Sequence, residues 1–269
     1  MNYFTAGIYG DYKAYIKMKS LLTKPEDRLW ILGDCIDGNS ERPEECFKIL
    51  DDIEESPNVT LILGDHEYFH AMRLFSEIER NEAEQSEEED IEEFDDGDVW
   101  SFEIEQFEFS GSPLLEYMEK VMSMDEKVRY ARLLSSLDVS DVVQIGGRLF
   151  YLCHGAPSTA QQSDTQWQYN VVTGKVSFQR AYGRDMACDI RIPYFAKELG
   201  IKRADMENAV LITGHTFTTS LEMEGEDVED GIVYSSHIMA INAGASADNG
   251  EPHIVVGIDS AGWQTFEVV

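Results

Sequence analysis

At 269 residues with a 43% apolar fraction, the chain can bury a sizeable core, and one domain spanning 1–269 is the expectation. A net charge of −31 repels phosphate backbones and anionic lipid, which excludes nucleic acid and membrane surfaces as direct partners and favours metal ions or basic proteins. No run of eighteen apolar residues occurs, and Met1-Asn2-Tyr3-Phe4 opens no signal segment, so a cytoplasmic protein is expected, with Cys35, Cys46, Cys153 and Cys188 as reduced thiols.

In chain order, Asn2 to Tyr9 predicts a first strand, and Asp11 to Leu22 a helix that stops at Lys24-Pro25-Glu26-Asp27. Arg28 to Leu32 is an apolar strand ending at Gly33, with Asp34 and Asp37 on the loop beyond it. Pro43 to Glu55 has a helical apolar face of Cys46, Phe47, Ile49, Leu50 and Ile53, and Val59 to Leu63 is the next strand. Three strands alternating with two helices predict a parallel sheet. A helix from Glu67 to Ile78 runs into an acidic segment. Glu77 to Glu108 holds sixteen acidic residues and one Arg, a net of −15, so residues 77–112 are expected to form a partly mobile insertion able to dock a basic partner. Leu114 to Leu137 predicts one helix. Val142 to Ile145 and Arg148 to Cys153 make a hairpin around Gly146-Gly147 that delivers His154. Ile190 to Leu199 is expected to be a helix, Ala209 to Thr213 a strand, and Ile232 to Val269 a meander turning at Ala243-Gly244, Asn249-Gly250 and Ala261-Gly262.

A strand followed by Gly and a ligand-type side chain recurs at Gly33-Asp34, Gly64-Asp65-His66-Glu67 and Gly214-His215, and His154 precedes Gly155. Such carboxylates at strand ends are also ordinary turn residues, and a lone His there is usually structural. Four of them from four strand ends form a donor set suited to manganese, iron or zinc.

These motifs resemble those of the calcineurin-like metallophosphoesterases, most closely the serine/threonine protein phosphatase branch in its short bacterial form. Gly33-Asp34-Cys35-Ile36-Asp37-Gly38 is similar to Gly-Asp-x-x-Asp-Arg-Gly, Gly64-Asp65-His66-Glu67 to Gly-Asn-His-Glu, Cys153-His154-Gly155-Ala156 to Val-His-Ala/Gly-Gly, and Gly214-His215-Thr216 to Gly-His-Thr. Ala240-Ile241-Asn242-Ala243-Gly244-Ala245 resembles the start of the family's closing hairpin. The resemblance implies an α/β fold, a β-sandwich of two mixed sheets flanked by helices, with the acidic insertion added. It implies Asp34 as the carboxylate between two metals, and Asp65, His154 and His215 as the rest of the second metal position, with one or two divalent ions bound, manganese first. It implies His66 as the general acid, held by Asp37, in hydrolysis of a phosphate monoester on a protein or small molecule.

The departures count against full activity. The family's first motif, Gly-Asp-x-His-Gly, aligns with Ala6-Gly7-Ile8-Tyr9-Gly10, so Gly7 and Tyr9 replace two ligands of the first metal, and Tyr9 or a shifted Asp11 would have to substitute. The phosphate-binding Arg has become Gly38. Arg180, Arg184 and Arg191 are candidates to replace it, and no spacing decides among them. A pseudophosphatase that binds a partner or phosphopeptide without hydrolysis is the alternative reading. Of the remaining histidines, His70 is expected on the surface or behind the site, His253 in a turn, and His237 before the closing strand.

Overall fold

A computed structural model describes residues 1–86, 112–138, 140–155, 209–217, 228–234, 238–246 and 248–269. The acidic stretch beyond residue 86, the expected helix near 190–199, Cys188, His237 and the three candidate arginines Arg180, Arg184 and Arg191 lie outside them. The strands are β1 (Asn2–Thr5), β2 (Arg28–Leu32), β3 (Val59–Ile62), β4 (Ser140–Ile145), β5 (Arg148–Cys153), β6 (Ala209–Phe217), β7 (Val228–Glu229), β8 (Ile232–Tyr234), β9 (Ile238–Asn242), β10 (His253–Ile258) and β11 (Trp263–Val268). The helices are α1 (Tyr12–Lys19), α2 (Glu44–Glu55), α3 (Asp65–Ser86), α4 (Pro113–Lys120) and α5 (Met124–Ser135).

Two mixed sheets result, one ordered β11-β10-β1-β2-β3 and the other β4-β5-β6-β9-β8-β7. In the first, β1, β2 and β3 run parallel, as the alternation of strand and helix predicts. Their apolar runs are continuous because both faces are covered. Leu29, Ile31, Val59 and Leu61 face a core shared with Tyr15, Met18, Phe47, Leu50, Leu74 and Leu134 of the helices. Trp30, Leu32, Phe4 and Ile62 face the other way, into a core with Phe150, Leu152, Val210, Ile212, Met239 and Ile241 of the second sheet. Phe4 stacks on Trp30 at 5.2 Å between ring centroids, and the Trp30 indole N–H donates to Asp141 Oδ2 at 3.0 Å, so the aromatic layer also ties the sheets together. The chain is an α/β sandwich with helices on its flank.

Two expectations of extent are corrected. β1 ends at Thr5 rather than Tyr9, because Gly7, Tyr9 and Gly10 all adopt positive φ (62°, 47° and 74°). The segment instead hangs from the β2 loop, Tyr9 N–H donating to Asp34 O at 3.0 Å and Gly10 N–H to Cys35 O at 2.9 Å. The single helix expected over 114–137 is two, broken at Ser123, whose side chain and that of Glu126 form a reciprocal cap on α5. No helix among the described residues is long and apolar enough to cross a membrane. The three described cysteines, Cys35, Cys46 and Cys153, are buried free thiols.

The base of the acidic segment is fastened to the fold by a buried ion pair. Lys127 Nζ of α5 donates to Glu77 Oε2 of α3 at 2.6 Å, with both side chains under 10% exposed. Replacing one partner strands the other charge in a low-dielectric setting, whereas replacing both with apolar groups removes the desolvation cost as well. Lys127→Met should cost about 3 kcal/mol in urea unfolding, and Lys127→Met/Glu77→Leu should recover most of that loss.

Candidate metal centre

The β2 loop is shaped by a carboxylate. Glu67, fully buried in the first turn of α3, accepts from the backbone N–H groups of Asp34 (2.9 Å), Cys35 (2.7 Å), Ile36 (3.1 Å) and Gly64 (3.0 Å). Four N–H donors suit an anion, and charge-assisted bonds of this kind are roughly twice as strong as neutral ones. They hold Asp34 at φ 54°, a conformation a non-glycine residue rarely adopts without such support.

That conformation puts the Asp34 carboxylate, 2% exposed, among three other donors. Asp65 begins α3, His154 follows β5, and His215 lies within β6. One ligand atom from each of Asp34, Asp65, His154 and His215 lies within 4.8 Å of the others. His154 Nε2 is 3.0 Å from Asp65 Oδ1, 3.3 Å from Asp34 Oδ1 and 3.1 Å from His215 Nδ1. The other His154 nitrogen, Nδ1, lies 2.7 Å from the carbonyl of Leu32 and can only donate to it. In the neutral ring Nε2 therefore presents a lone pair to two carboxylates. Acceptors crowded against acceptors repel unless a cation lies between them, and a backbone carbonyl fixing the far nitrogen is the usual support for a ligating imidazole. Asp34 Oδ1 adds a second sign, being buried with no hydrogen-bond donor among the described residues. The residues present fit a divalent cation.

Titration follows the same charges. Burial pushes the Asp34 carboxyl well up, reinforced by the charges of Asp65 and Glu67. Burial also pushes Asp65 up, but the adjacent imidazoles of His154 and His215 outweigh it and hold Asp65 low.

Beside this cluster lies a second one. Asp37 Oδ2 is 3.5 Å from His66 Nδ1 and 3.1 Å from His70 Nε2, while Oδ1 accepts from Ser112 Oγ at 2.8 Å and from Gly38 N–H at 3.1 Å. Burial raises the Asp37 carboxyl, yet bonds from His66 and His70 dominate and hold it far below the carboxylate range. For His66, burial pulls the imidazolium down, and the bond to Asp37 with the charges of Asp65, Asp37 and Glu67 more than offsets this, so its pKa is raised.

Other expected residues lie elsewhere. Tyr9 is turned inward, its hydroxyl donating to Asp34 Oδ2 at 2.9 Å, and burial followed by the Asp34 charge raises the phenol well above its ordinary pKa. Its hydroxyl stands beside Asp34 as a hydrogen-bond donor. Asp11 is removed from the cluster: its Oδ1 caps α1 by accepting from Ala14 N–H at 2.8 Å, and its Oδ2 is 3.5 Å from His253 Nε2. His253, expected in a turn, is 2% exposed on β10. His70, expected on the surface or behind the site, is fully buried against Asp37. Its spacing of four from His66 carried that signal, since such residues share a helix face. Glu67 and Asn242 went unassigned in the sequence. Glu67 stood within a recognised motif but nothing local reveals its four amide partners, and Asn242 stood in the stretch that resembles the closing hairpin without a role of its own.

No family profile and no curated protein matches the sequence. Solved structures do match. A metallophosphoesterase from Sphaerobacter thermophilus is 12% identical with a TM-score of 0.50, the alignment covering 100% of this chain and 87% of that one. A protein serine/threonine phosphatase from Saccharomyces cerevisiae is 14% identical with a TM-score of 0.50, covering 100% and 80%. At such identities the likeness is one of fold.

Two outcomes follow from these networks. Glu67→Gln keeps the size but points an NH2 group at N–H donors, so it should lose about 3 kcal/mol of stability and speed amide exchange at Asp34, Cys35 and Ile36, read by hydrogen-exchange mass spectrometry. Because the folded Asp37 carboxyl is depressed, its contribution is present above the ordinary carboxylate pKa and is lost as pH falls below about 4 towards the folded value. Urea unfolding of metal-free protein at neutral pH and in acid should therefore show wild type losing about 1 kcal/mol or more beyond the loss of Asp37→Asn.

Proposed function

We propose, on the premise that this chain has the calcineurin-like metallophosphoesterase fold, that it is a metal-dependent phosphoesterase acting on phosphate monoesters of a protein or a small molecule. The observation that carries the reading is the convergence of Asp34, Asp65, His154 and His215, whose ligand-type atoms all lie within 4.8 Å of one another, close enough for one cation. Asp34, Asp65, His154 and His215 would hold it. Manganese suits two carboxylates and two imidazoles, and iron or zinc are also compatible. The ion supplies Lewis acidity towards a phosphoryl oxygen. The chain's own residues do the rest. Leu32 O orients His154, and Asp37 favours the protonated form of His66, whose proton would go to the departing alkoxide. His66 keeps 19% side-chain exposure, whereas His70 is closed off and serves to position Asp37. Buried free thiols suit the reducing cytoplasm. The acidic insertion, residues 77–112, is proposed as a docking segment for a basic protein partner.

One observation favours the second reading, binding without turnover. Gly38 has φ 70°, and a Cβ there would lie 2.6 Å from Tyr9 Cβ, so the position that holds a phosphate-clamping Arg in the resembled motif is closed to a side chain.

The readings separate by leaving group. With manganese supplied, His66→Ala should lose about 100-fold on an alkyl phosphate and far less on p-nitrophenyl phosphate, whose leaving group departs without a proton. Wild type turning over the alkyl ester no faster than His66→Ala would remove the acid role of His66, and no manganese-dependent turnover of either ester would remove the hydrolytic role. Retained phosphopeptide affinity, measured by fluorescence anisotropy, would then leave the binding role standing.

A further inference from the structure

We infer that this centre binds a single cation, because the Tyr9 phenol and the Asn242 amide fill the space on the other side of Asp34 where a second ion would need its ligands. The inference rests on the proposed reading of the Asp34, Asp65, His154 and His215 cluster as a cation site. A carboxylate shared between two ions must offer one oxygen to each. Asp34 Oδ1 faces the cluster, but Oδ2 is engaged by the Tyr9 hydroxyl at 2.9 Å. Behind that hydroxyl, Asn242 Nδ2 donates to Tyr9 Oη at 3.3 Å and to Gly214 O at 2.8 Å, while Asn242 Oδ1 accepts from Gly244 N–H at 2.9 Å. Asn242 is fully buried and Tyr9 is 8% exposed, so neither side chain has room to swing aside.

The backbone locks the same arrangement. Tyr9 sits at φ 47° with its N–H on Asp34 O at 3.0 Å, its ring edge meets His66 at 5.4 Å between centroids, and Gly38 opposes its Cβ. Position 7 is the place from which a further carboxylate would reach Asp34. A Cβ at Gly7 would lie 2.6 Å from Asn242 Oδ1 and 2.8 Å from Tyr9 Cε2, both closer than real contacts allow. The loss of a ligand at Gly7 is thus not a vacancy: aromatic and amide atoms occupy the volume. The phenol supplies the partial positive charge that Asp34 Oδ2 would otherwise draw from an ion. Tyr9 is a positioning residue that leaves Asp34 a one-oxygen ligand.

Manganese(II) is a suitable probe, with binding counted by inductively coupled plasma mass spectrometry after desalting and the ion's surroundings read by electron paramagnetic resonance. Wild type is expected to bind one manganese per chain and to give the six-line hyperfine pattern of an isolated ion. Gly7→Asp alone should still bind one, since Asp tolerates the positive φ but finds the space filled. Gly7→Asp/Tyr9→His, which vacates the ring and adds an imidazole, should bind two and show the finer spacing of an exchange-coupled pair. Two ions in wild type, or a second ion gained by Gly7→Asp alone, would overturn the inference. No ion in wild type would instead remove the reading of the cluster on which it rests. Should the variants not fold, the wild-type count and spectrum still decide.

Discussion

The centre depends on one carboxylate that never faces it. Glu67 gathers the amides of Asp34, Cys35, Ile36 and Gly64, and no other group among the described residues links the ends of β2 and β3 so directly. Burying a carboxylate is costly unless its lone pairs are filled, and four N–H donors fill them. The glycines follow from this anchor. A Cβ on Gly64 would meet Glu67 Oε2 at 2.4 Å, and one on Gly33 would meet His154 Nδ1 at 2.3 Å, so both positions must be bare for the loop to close on its carboxylate and for His154 to reach Leu32 O. The positive φ of Asp34 is a strain of about 1 kcal/mol or more, and the amide bonds on either side of it make up that cost.

The two sheets meet at this point because each has a parallel block. β1, β2 and β3 run parallel in one sheet, and β5, β6 and β9 in the other. Parallel strands deliver their carboxyl ends to one edge, the place where α/β sheets carry ligands. Asp34 and Asp65 come from the first block, His154 and His215 from the second. The sheets touch there as well. Within the second sheet, Gly214 and His215 N–H groups both donate to His154 O at 2.9 Å, and Gly214 lies so near Ala6 and Leu32, at the ends of β1 and β2, that a Cβ would come within 2.4 Å of each. Separation of the sheets at this edge would therefore separate the donors too.

The sequence revealed the elements where periodicity was strong and the site where Gly preceded a ligand type. β2 and α2 lie close to where the apolar pattern puts them, and Asp34, Asp65, His154 and His215 could be singled out from strand ends alone. What stayed hidden was set by tertiary contact. The end of β1 depends on hydrogen bonds from Tyr9 and Gly10 to a loop more than twenty residues away, which no local pattern encodes. Asp11 and His253 read as a possible ligand and a turn residue because each was taken alone; 3.5 Å apart, they become a cap and its neighbour. His70 was legible in principle from its spacing to His66, but its burial depends on Asp37 arriving from another element.

The departures from the resembled motifs are physically one change. An arginine at position 38 would need both a residue tolerant of φ 70° and the volume that Tyr9 Cβ takes, and a carboxylate at position 7 would need the volume of the Tyr9 ring and Asn242. Tyr9 thus answers for the absence of both side chains. The Asp37 cluster does not share in that change. Asp37 has four partners, two of them imidazoles, and the bonds from the imidazoles hold its carboxyl low. Side chains packed together with so little exposure must give up hydration, and the hydrogen bonds that Asp37 accepts from Ser112 Oγ and Gly38 N–H offset that cost on the carboxylate side. The change centred on Tyr9 therefore leaves the Asp37, His66 and His70 cluster as it stands.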